Sequence, residues 1–145
     1  MNNTVSYEVQ GQEKLKLLKV LIVDDEQMGN VIGKSVEQLG HKVAVVKCYK
    51  EALQKIAETK FDLILWDINL SDGNGIDLIA EIRKSAGKVN IVAMTGDSNR
   101  EMEQRARAQG IIYYMIKPFE LNELRSIINH LARRKIKLCP QQIQA

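Results

Sequence analysis

The sequence predicts an α/β domain built on a parallel five-stranded sheet with helices on both faces. Short β-branched or apolar runs alternate five times with segments whose apolar residues recur at helical spacing. Several of the apolar runs are continuous instead of alternating, which is typical of strands that are covered on both faces. Successive strand–helix units indicate right-handed crossovers between parallel strands. The pattern leaves the order of the strands in the sheet open.

The five predicted strands lie at residues 20–24, 41–47, 61–67, 90–96 and 111–117. A chain of 145 residues suits a single domain, which we place at residues 19–134. We expect residues 1–18 to form an N-terminal tail, to which "EKLKLLK" could add a helical turn. Residues 135–145 are expected to be a C-terminal tail or the start of a linker.

Helices are predicted after the strands because apolar side chains recur there at three- and four-residue intervals. Their stripes consist of Val31, Ile32, Val36 and Leu39, of Ala52, Leu53, Ile56 and Ala57, of Ile76, Ile79, Ala80 and Arg83, and of Leu121, Leu124, Ile127, Ile128 and Leu131. Ser98, followed by Glu101, predicts a capping box that opens the fourth helix, and Asn74 with Asp77 predicts a weaker one for the third. Helix ends with positive φ are predicted at Gly40, Gly87 and Gly110.

Composition and charge exclude several classes of function. The net charge of +3 is too small and too dispersed to indicate direct binding to nucleic acid or to an anionic membrane. The densest basic run, residues 133–137, is interpreted as a solvated helix end. Cys48 and Cys139 fit no metal or redox spacing, and with no recognisable signal peptide they indicate a reduced, cytoplasmic protein. No apolar segment is long enough to span a bilayer.

Polar residues stand at the ends of four of the predicted strands. The first strand ends in Asp24 and is followed by Asp25 and Glu26, the third ends in Asp67, the fourth ends with Thr95 and the fifth ends in Lys117. In an open parallel sheet the carboxyl ends of the strands form the ligand-binding edge. Clustered carboxylates repel one another unless a cation joins them, and Mg²⁺ prefers such oxygen ligands together with phosphate oxygens. Acids, a hydroxyl and an ammonium group at one edge therefore indicate a site for a phosphoryl group.

Taken singly, these residues have simpler interpretations, and other motifs also compete. An aspartate after a strand is usually a helix N-cap, and a threonine or Lys-Pro there usually belongs to a turn. A calcium loop that starts at Asp67 would need glycine at its sixth position and glutamate at its twelfth, where the sequence has Asp72 and Leu78. An aspartyl phosphatase resembling haloacid dehalogenases would carry a second aspartate where Asn69 stands. A nucleotide-binding P-loop motif is absent from the sequence.

The whole set resembles the receiver domain of bacterial two-component response regulators, in particular the chemotaxis regulators. The landmarks that carry the resemblance are Asp24, Asp25, Asp67, Thr95, Gly96, Tyr114, Lys117, Pro118 and Phe119, all in the family's order. The resemblance covers roughly residues 19–134. It implies a flavodoxin-like, doubly wound (βα)5 fold with strand order 2-1-3-4-5. The sequence departs from the family at Ser71, where the family usually has a proline.

The resemblance implies a phosphorylation-dependent signalling switch, not an enzyme acting on other molecules. Asp67 would accept a phosphoryl group from a phosphohistidine of a sensor kinase or a phosphotransfer protein. Asp25, Asp67 and the main-chain carbonyl of Asn69 would ligate Mg²⁺, with Asp24 assisting. Lys117 would pair with the phosphoryl group.

Further positions take switching and tuning roles from the resemblance. Thr95 would move to bond the phosphoryl group, Tyr114 would turn inward behind it, and the Lys117–Pro118 bond is expected to be cis. Asn69, Gly96 and Asp97 occupy positions that tune self-hydrolysis, and they indicate a short-lived phosphoryl group. A competing interpretation is that Asp97 only caps the fourth helix.

The output surface is expected on the face formed by the fourth helix, the fifth strand and the fifth helix. The start of that strand, Ile111 to Tyr114, is unusually apolar, so its uncovered part would bind a downstream protein or a second copy of the chain. Two alternatives stay open. The chain could be a phosphorylation-independent binding module with the same fold, or a receiver fragment of a longer regulator or hybrid kinase.

Overall fold

The computed structural model describes residues 8–9 and 13–135. The elements found there, in chain order, are β1 (Glu8–Val9), β2 (Glu13–Leu15), β3 (Lys19–Val23), α1 (Gln27–Gln38), β4 (Lys42–Val46), α2 (Tyr49–Glu58), β5 (Leu63–Asp67), α3 (Leu78–Ala86), β6 (Asn90–Thr95), α4 (Arg100–Ala108), β7 (Tyr113–Ile116), α5 (Leu121–Ala132) and β8 (Arg133–Lys135). Each of the five predicted strands is present, shifted at its ends by at most two residues.

The main sheet has the order β4-β3-β5-β6-β7, and every neighbouring pair in it is parallel. Counted over these five strands, the order is the predicted 2-1-3-4-5 arrangement. The register places Trp66 opposite both Val23 and Ala93, which brings the carboxyl ends of the three central strands to one level. The polar residues that follow these strands therefore share one edge of the sheet.

Two apolar clusters cover the two faces of the sheet. Leu21, Ile64 and Ile91 point into one cluster, while the next residue of each strand points into the other, as expected from the two-residue period of a strand. All five residues of β5 are buried. This burial explains why the central strands are continuously apolar in the sequence.

The helices follow the predicted stripes with two exceptions. Val31 is 48% exposed and Ala57 is also exposed, so neither belongs to the core. Both lie at an edge of their stripe, where the sheet no longer covers the helix. Arg83 is half-buried at the edge of α3, where its guanidinium donates to the carbonyl oxygens of Val89 at 2.5 Å and Gly110 at 2.6 Å.

The predicted glycine positions are confirmed, with φ of 99° at Gly40, 67° at Gly87 and 85° at Gly110. The capping box predicted at Ser98 and Glu101 is wrong, because α4 begins one residue later and has a simple N-cap. The N-cap of α4 is Asn99, whose side-chain oxygen accepts from the Met102 amide at 2.8 Å. The Ser98 hydroxyl instead contacts the Tyr114 hydroxyl in β7.

Segments near both ends of the chain form a second, three-stranded antiparallel sheet of order β1-β2-β8. The predicted helical turn in "EKLKLLK" is wrong, because residues 13–15 are extended and pair with residues 133–135. The basic run that starts at Arg133 is likewise a strand in its described part, not a helix end. The domain boundaries at residues 19 and 134 stay predictions. None of the helices in the described part of the chain has the length and apolarity needed to cross a membrane.

Candidate functional site

The polar residues predicted to converge do so, around a cavity of about 250 Å³ at the carboxyl end of the main sheet. Its lining consists of Asp25, Glu26, Asp67, Asn69, Gly96, Asp97 and Lys117. These residues come from the segments that follow β3, β5, β6 and β7. Although these residues are far apart in the sequence, the parallel pairing of the strands brings them to the same edge of the sheet.

Three aspartates form the acidic part of the site. One carboxylate oxygen from each of Asp24, Asp25 and Asp67 lies within 4.8 Å of the others. Asp24 is wholly buried, Asp67 is 4% exposed and Asp25 faces solvent. Asp24 accepts from the Glu26 amide at 2.9 Å and Asp67 from the Asn69 amide at 2.8 Å, so the two buried side chains are fixed by the turns that follow them.

Lys117 places its ammonium group among these acids. Its Nζ is 2.9 Å from Asp67 Oδ2, 2.8 Å from Asp24 Oδ2 and 3.1 Å from Glu26 Oε1. Burial by itself would lower the pKa of Lys117, but hydrogen bonds to Asp24 and Asp67 outweigh it, and the pKa is raised. The ammonium group is therefore always charged at neutral pH. Glu26 is an additional partner to which the sequence interpretation gave no role.

Burial raises the pKa of the Asp67 carboxyl above its ordinary value. The hydrogen bonds from Lys117 and from the Asn69 amide act in the opposite direction, and the nearby charge of Asp24 again raises the pKa. The Asp67 carboxylate is thus poorly hydrated and lies beside like charge. Such a group is stabilised by a nearby cation.

Thr95 is wholly buried and connects the two loops that border the cavity. Its hydroxyl donates to the side-chain oxygen of Asn69 and accepts from the Asp97 amide, the latter at 3.0 Å. Gly96 leaves open space, since a Cβ there would meet nothing within 4 Å. The suggestion that Asp97 caps α4 is wrong, because Asn99 is the N-cap.

Tyr114 is half-buried in β7, on the α4 side of the sheet. Its hydroxyl lies 2.7 Å from Ser98 Oγ, and the Arg107 guanidinium carbon lies 5.9 Å from its ring centroid. Tyr114 thus contacts both the loop after β6 and helix α4. A rearrangement of that loop would be transmitted to the ring.

The exposed apolar residues of the face formed by α4, β7 and α5 agree with the expected stretch, Ile111 to Tyr114, at one position and extend beyond it at another. Ile111 and Ile112 are half-buried and pack against the two core clusters. Tyr113 is 41% and Ile116 53% exposed instead. Of the stretch from Ile111 to Tyr114, the uncovered part is therefore Tyr113, because both isoleucines precede the strand and pack against the core.

Tyr49 was not identified from the sequence, yet it contacts the main chain of the site. It is 1% exposed, and its hydroxyl donates to the Asp67 carbonyl oxygen at 2.6 Å and accepts from the Leu70 amide at 3.1 Å. Burial raises the pKa of Tyr49, so the hydroxyl stays protonated. No local pattern marks this residue, because its partners lie about twenty residues further along the chain.

The chain matches a family model described as the response regulator receiver domain over residues 20–129. Among curated proteins it is 31% identical over 129 residues to the two-component response regulator PhoP of Pseudomonas aeruginosa, covering 88% of this chain and 57% of that protein. It is 30% identical over 110 residues to the DNA-binding transcriptional regulator NtrC of Azospirillum brasilense, covering 75% and 23% respectively. The chain thus spans little more than half, or less, of the length of these relatives.

Solved structures of receiver domains and response regulators also resemble this chain. A CheY-like response regulator receiver domain protein from Methanospirillum hungatei superposes with a TM-score of 0.75 at 28% identity, covering 79% of this chain and 93% of that one. A two-component response regulator from Clostridium difficile gives 0.72 at 32% identity, covering 78% and 93%. A beryllofluoride-activated NtrC4 receiver domain dimer gives 0.74 at 27% identity, covering 79% and 95%.

Proposed function

Because the chain belongs to the response regulator receiver family, whose domains are phosphorylation-dependent signalling switches, we propose that Asp67 is its phosphoacceptor. The donor is a phosphohistidine of a sensor kinase or of a phosphotransfer protein. An oxygen of the Asp67 carboxylate forms the new bond to phosphorus while the bond from phosphorus to the imidazole nitrogen breaks. The phosphoryl group is transferred and the histidine leaves as the free imidazole.

One observation carries this assignment. Asp67 is the buried carboxylate that ends the central strand and borders the open cavity, with Lys117 Nζ at 2.9 Å. Asp24 is more buried and does not line the cavity, while Asp25 is exposed and has no comparable contact with Lys117 among the described ion pairs. Only Asp67 of the three combines access to a donor with a fixed ammonium group, which supports its role as the nucleophile.

The donor set fits Mg²⁺. Asp24, Asp25 and Asp67 offer hard carboxylate oxygens close to one another, and the exposed side of the cluster leaves room for the water ligands that Mg²⁺ retains. We propose Asp25, Asp67 and the main-chain carbonyl of Asn69 as ligands, with Asp24 assisting. When bound, the ion neutralises charge on the phosphoryl oxygens and so assists both phosphorylation and its reversal.

The remaining residues of the site are proposed to detect the new group. Lys117, already charged, pairs with a phosphoryl oxygen and in doing so weakens its contact with Asp24. Thr95 exchanges its bond to the Asn69 side chain for one to the phosphoryl group. The Asp97 amide, which donates to the Thr95 hydroxyl, moves with it, and Tyr114 turns inward on the far side of that loop.

The phosphoryl group is proposed to be short-lived. Asn69, Gly96 and Asp97 line the cavity around Asp67, where the amide and the acid are able to orient a water molecule and Gly96 leaves it space. We expect Asp97→Ala to lengthen the half-life of the phosphorylated protein several-fold. A half-life of many hours for the native protein in Mg²⁺ would contradict this part of the proposal.

The output face is proposed to bind a downstream protein or a second copy of the chain when Asp67 is phosphorylated. It comprises α4, β7 and α5, with Tyr113 and Ile116 as its exposed apolar residues. Sedimentation with a beryllofluoride mimic should show association that Ile116→Glu and Tyr113→Ala reduce. Leu17→Glu, at a residue that is 49% exposed elsewhere, is the matched control and should associate as the native protein does.

The decisive experiment treats the protein with a small acyl phosphate and Mg²⁺. We expect one hydroxylamine-labile phosphoryl group in the native protein and in the control Asp77→Asn, whose carboxylate is 63% exposed outside the cavity. Asp67→Asn should carry none while remaining folded. An unphosphorylated native protein would favour the phosphorylation-independent binding module, and an Asp67→Asn adduct of normal yield would refute the assigned position.

We also propose a cytoplasmic location for the protein. The reduced state expected of the cysteines, and the kinase as donor, support this location. The chain corresponds to the receiver part of longer regulators, so a further segment in the same polypeptide remains an alternative to a separate partner. That the receiver itself does not bind nucleic acid stays a prediction, since NtrC is described as DNA-binding and only 23% of it is matched.

A further inference from the structure

The feature that carries a further inference is the buried aromatic pair beneath the phosphoacceptor. Tyr49 is the first residue of α2, and its ring stacks on Trp66 with centroids 4.8 Å apart and planes 22° from parallel. Both side chains are at most 1% exposed. Two large rings thus form a rigid layer directly under the end of β5, where Asp67 follows Trp66.

The Tyr49 hydroxyl spans the turn that follows Asp67. It donates to the Asp67 carbonyl oxygen at 2.6 Å and accepts from the Leu70 amide at 3.1 Å. The two main-chain groups bracket Ile68 and Asn69, so this one hydroxyl fixes the path of the turn on which Asn69 presents its carbonyl. Because both partners are main-chain groups, the contact does not depend on whether Asp67 is a carboxylate or an acyl phosphate.

The rest of the loop is built around these rings. Trp66 Nε1 donates to the Gly75 carbonyl oxygen at 2.8 Å. A Cβ at Gly75 would lie 2.5 Å from Ile68 Cα and would also collide with the Tyr49 hydroxyl, so only glycine fits there. Asp72 accepts from the Tyr49 amide at 3.1 Å and from the Lys50 amide at 3.2 Å, and it thereby ties the loop to the start of α2.

We propose that Tyr49 is a positioning residue for phosphoryl transfer, which holds the turn from Asp67 to Leu70 in the conformation that metal binding and phosphorylation require. This inference rests on the proposed function. Ser71, in the same loop, is exposed, so the rigidity of this segment comes from Tyr49 and its neighbours. The residue touches neither donor nor phosphoryl group and acts through the main chain of Asp67 and Asn69.

The test compares Tyr49→Phe with Ser85→Ala, a hydroxyl deletion at an exposed residue of α3. The phenyl ring keeps the stacking on Trp66, while the Leu70 amide and the Asp67 carbonyl lose their partner. In the metal-free protein we expect exchange of the Leu70 amide to accelerate about tenfold, corresponding to the loss of one hydrogen bond. Exchange of the Val92 amide in β6 should change far less.

Two functional measurements complete the test at a temperature where urea titration shows both variants fully folded. Mg²⁺ titration followed by the fluorescence of Trp66 should give a dissociation constant raised roughly two- to tenfold in Tyr49→Phe. The second-order rate constant with a small acyl phosphate should fall about tenfold, because a displaced nucleophile reacts more slowly. Ser85→Ala should match the native protein in both.

The outcomes separate this inference from the function on which it rests. If the native protein accepts no phosphoryl group at Asp67, the proposed function fails first. If the native protein is phosphorylated and Tyr49→Phe matches it in Mg²⁺ affinity and rate, the positioning role is wrong while the function stands. If the Leu70 amide exchanges no faster in Tyr49→Phe, the Tyr49 hydroxyl does not hold the turn from Asp67 to Leu70, and the inference is refuted.

Discussion

The two loops that border the cavity beside Asp67 are held in different ways. The loop after β5 is fixed by bonds to buried groups, with the Tyr49 hydroxyl, the Trp66 indole and the Asp67 carboxylate each holding its main chain. The loop after β6 is attached mainly through the Thr95 hydroxyl and through the contact between Ser98 and Tyr114. The first loop would keep the nucleophile and the metal ligands still, and the second is able to respond.

This difference follows from what each loop has to do in a receiver. A nucleophile gains rate from a fixed geometry, whereas a signal requires an element with two arrangements. The bond from the Thr95 hydroxyl to the Asn69 side chain joins the two loops, and Asn69 is exposed enough to exchange that bond for water. If Asp67 is phosphorylated as proposed, this bond is where the responsive loop would separate from the fixed one.

The largest effect should come from adding one methyl group to each loop. In Gly75→Ala the new Cβ would lie 2.5 Å from Ile68 Cα and 2.6 Å from its carbonyl oxygen, so main chain has to move. We expect a loss of about 1–3 kcal/mol or more in the free energy of unfolding. Gly96→Ala, where nothing lies within 4 Å of the new Cβ, should stay within about 0.5 kcal/mol. Equal urea midpoints for the two variants would remove the contrast between the loops.

A smaller effect is expected from removing one acid from each loop. Asp72→Ala deletes the acceptor for the Tyr49 and Lys50 amides at the start of α2 and should cost about 1 kcal/mol, as N-cap deletions do. In Asp97→Ala the main-chain bond from residue 97 to Thr95 is retained, and the exposed side chain should be worth less than about 0.5 kcal/mol. Thermal unfolding of both variants measures the difference, and a larger loss in Asp97→Ala would reverse the comparison.

Thr95→Val tests the responsive loop alone. The variant keeps the volume of the side chain but loses the hydroxyl that accepts from the Asp97 amide, at a cost of about 1 kcal/mol. We expect faster exchange of the Asp97 amide, unchanged exchange of the Leu70 amide, and continued phosphorylation by a small acyl phosphate. The beryllofluoride-induced association should be lost. Thr59→Val, outside the site, is the control, and a variant that still associates fully would show that Thr95 does not couple the loops.

The smallest effect concerns pH and sets the baseline for the other measurements. His41 is buried at the start of β4, where its Nδ1 accepts from the Leu18 amide at 3.0 Å, and burial lowers its pKa. Between this lowered pKa and the ordinary value of 6.5, His41 binds more protons in the unfolded chain than in the folded one. Its contribution to the free energy of unfolding is therefore fully present above pH 6.5 and is lost as the pH falls through the lowered pKa.

His41→Asn offers an acceptor to the same amide and does not titrate. Its free energy of unfolding should fall less steeply between pH 7 and pH 5 than that of the native protein. His130→Asn, at an exposed residue of α5, should retain the native slope. If the free energy of unfolding of His41→Asn falls with pH as steeply as that of the native protein, other groups cause the acid sensitivity. The stabilities of the two sets of loop variants can then be compared without allowing for protonation of His41.

The sequence by itself determined the α/β class, the five main strands, the strand-end residues of the site and the positive-φ glycines. It did so because the information is local: a strand's apolar run marks its end within a residue or two, and parallel pairing then brings Asp24, Asp67, Thr95 and Lys117 to one edge. The strand order came from the family resemblance and is confirmed, as is the cis Lys117–Pro118 bond.

Only the tertiary structure decided which side chains hold that edge in place. The bond from Tyr49 to Asp67 joins residues 18 positions apart, and the bond from Thr95 to Asn69 joins residues 26 apart. The N-cap of α4 is Asn99, while Ser98 has a partner in β7, and Ile116 is exposed on β7, an edge strand. Such outcomes depend on which groups meet after packing, and neither periodicity nor propensity within a segment encodes those meetings.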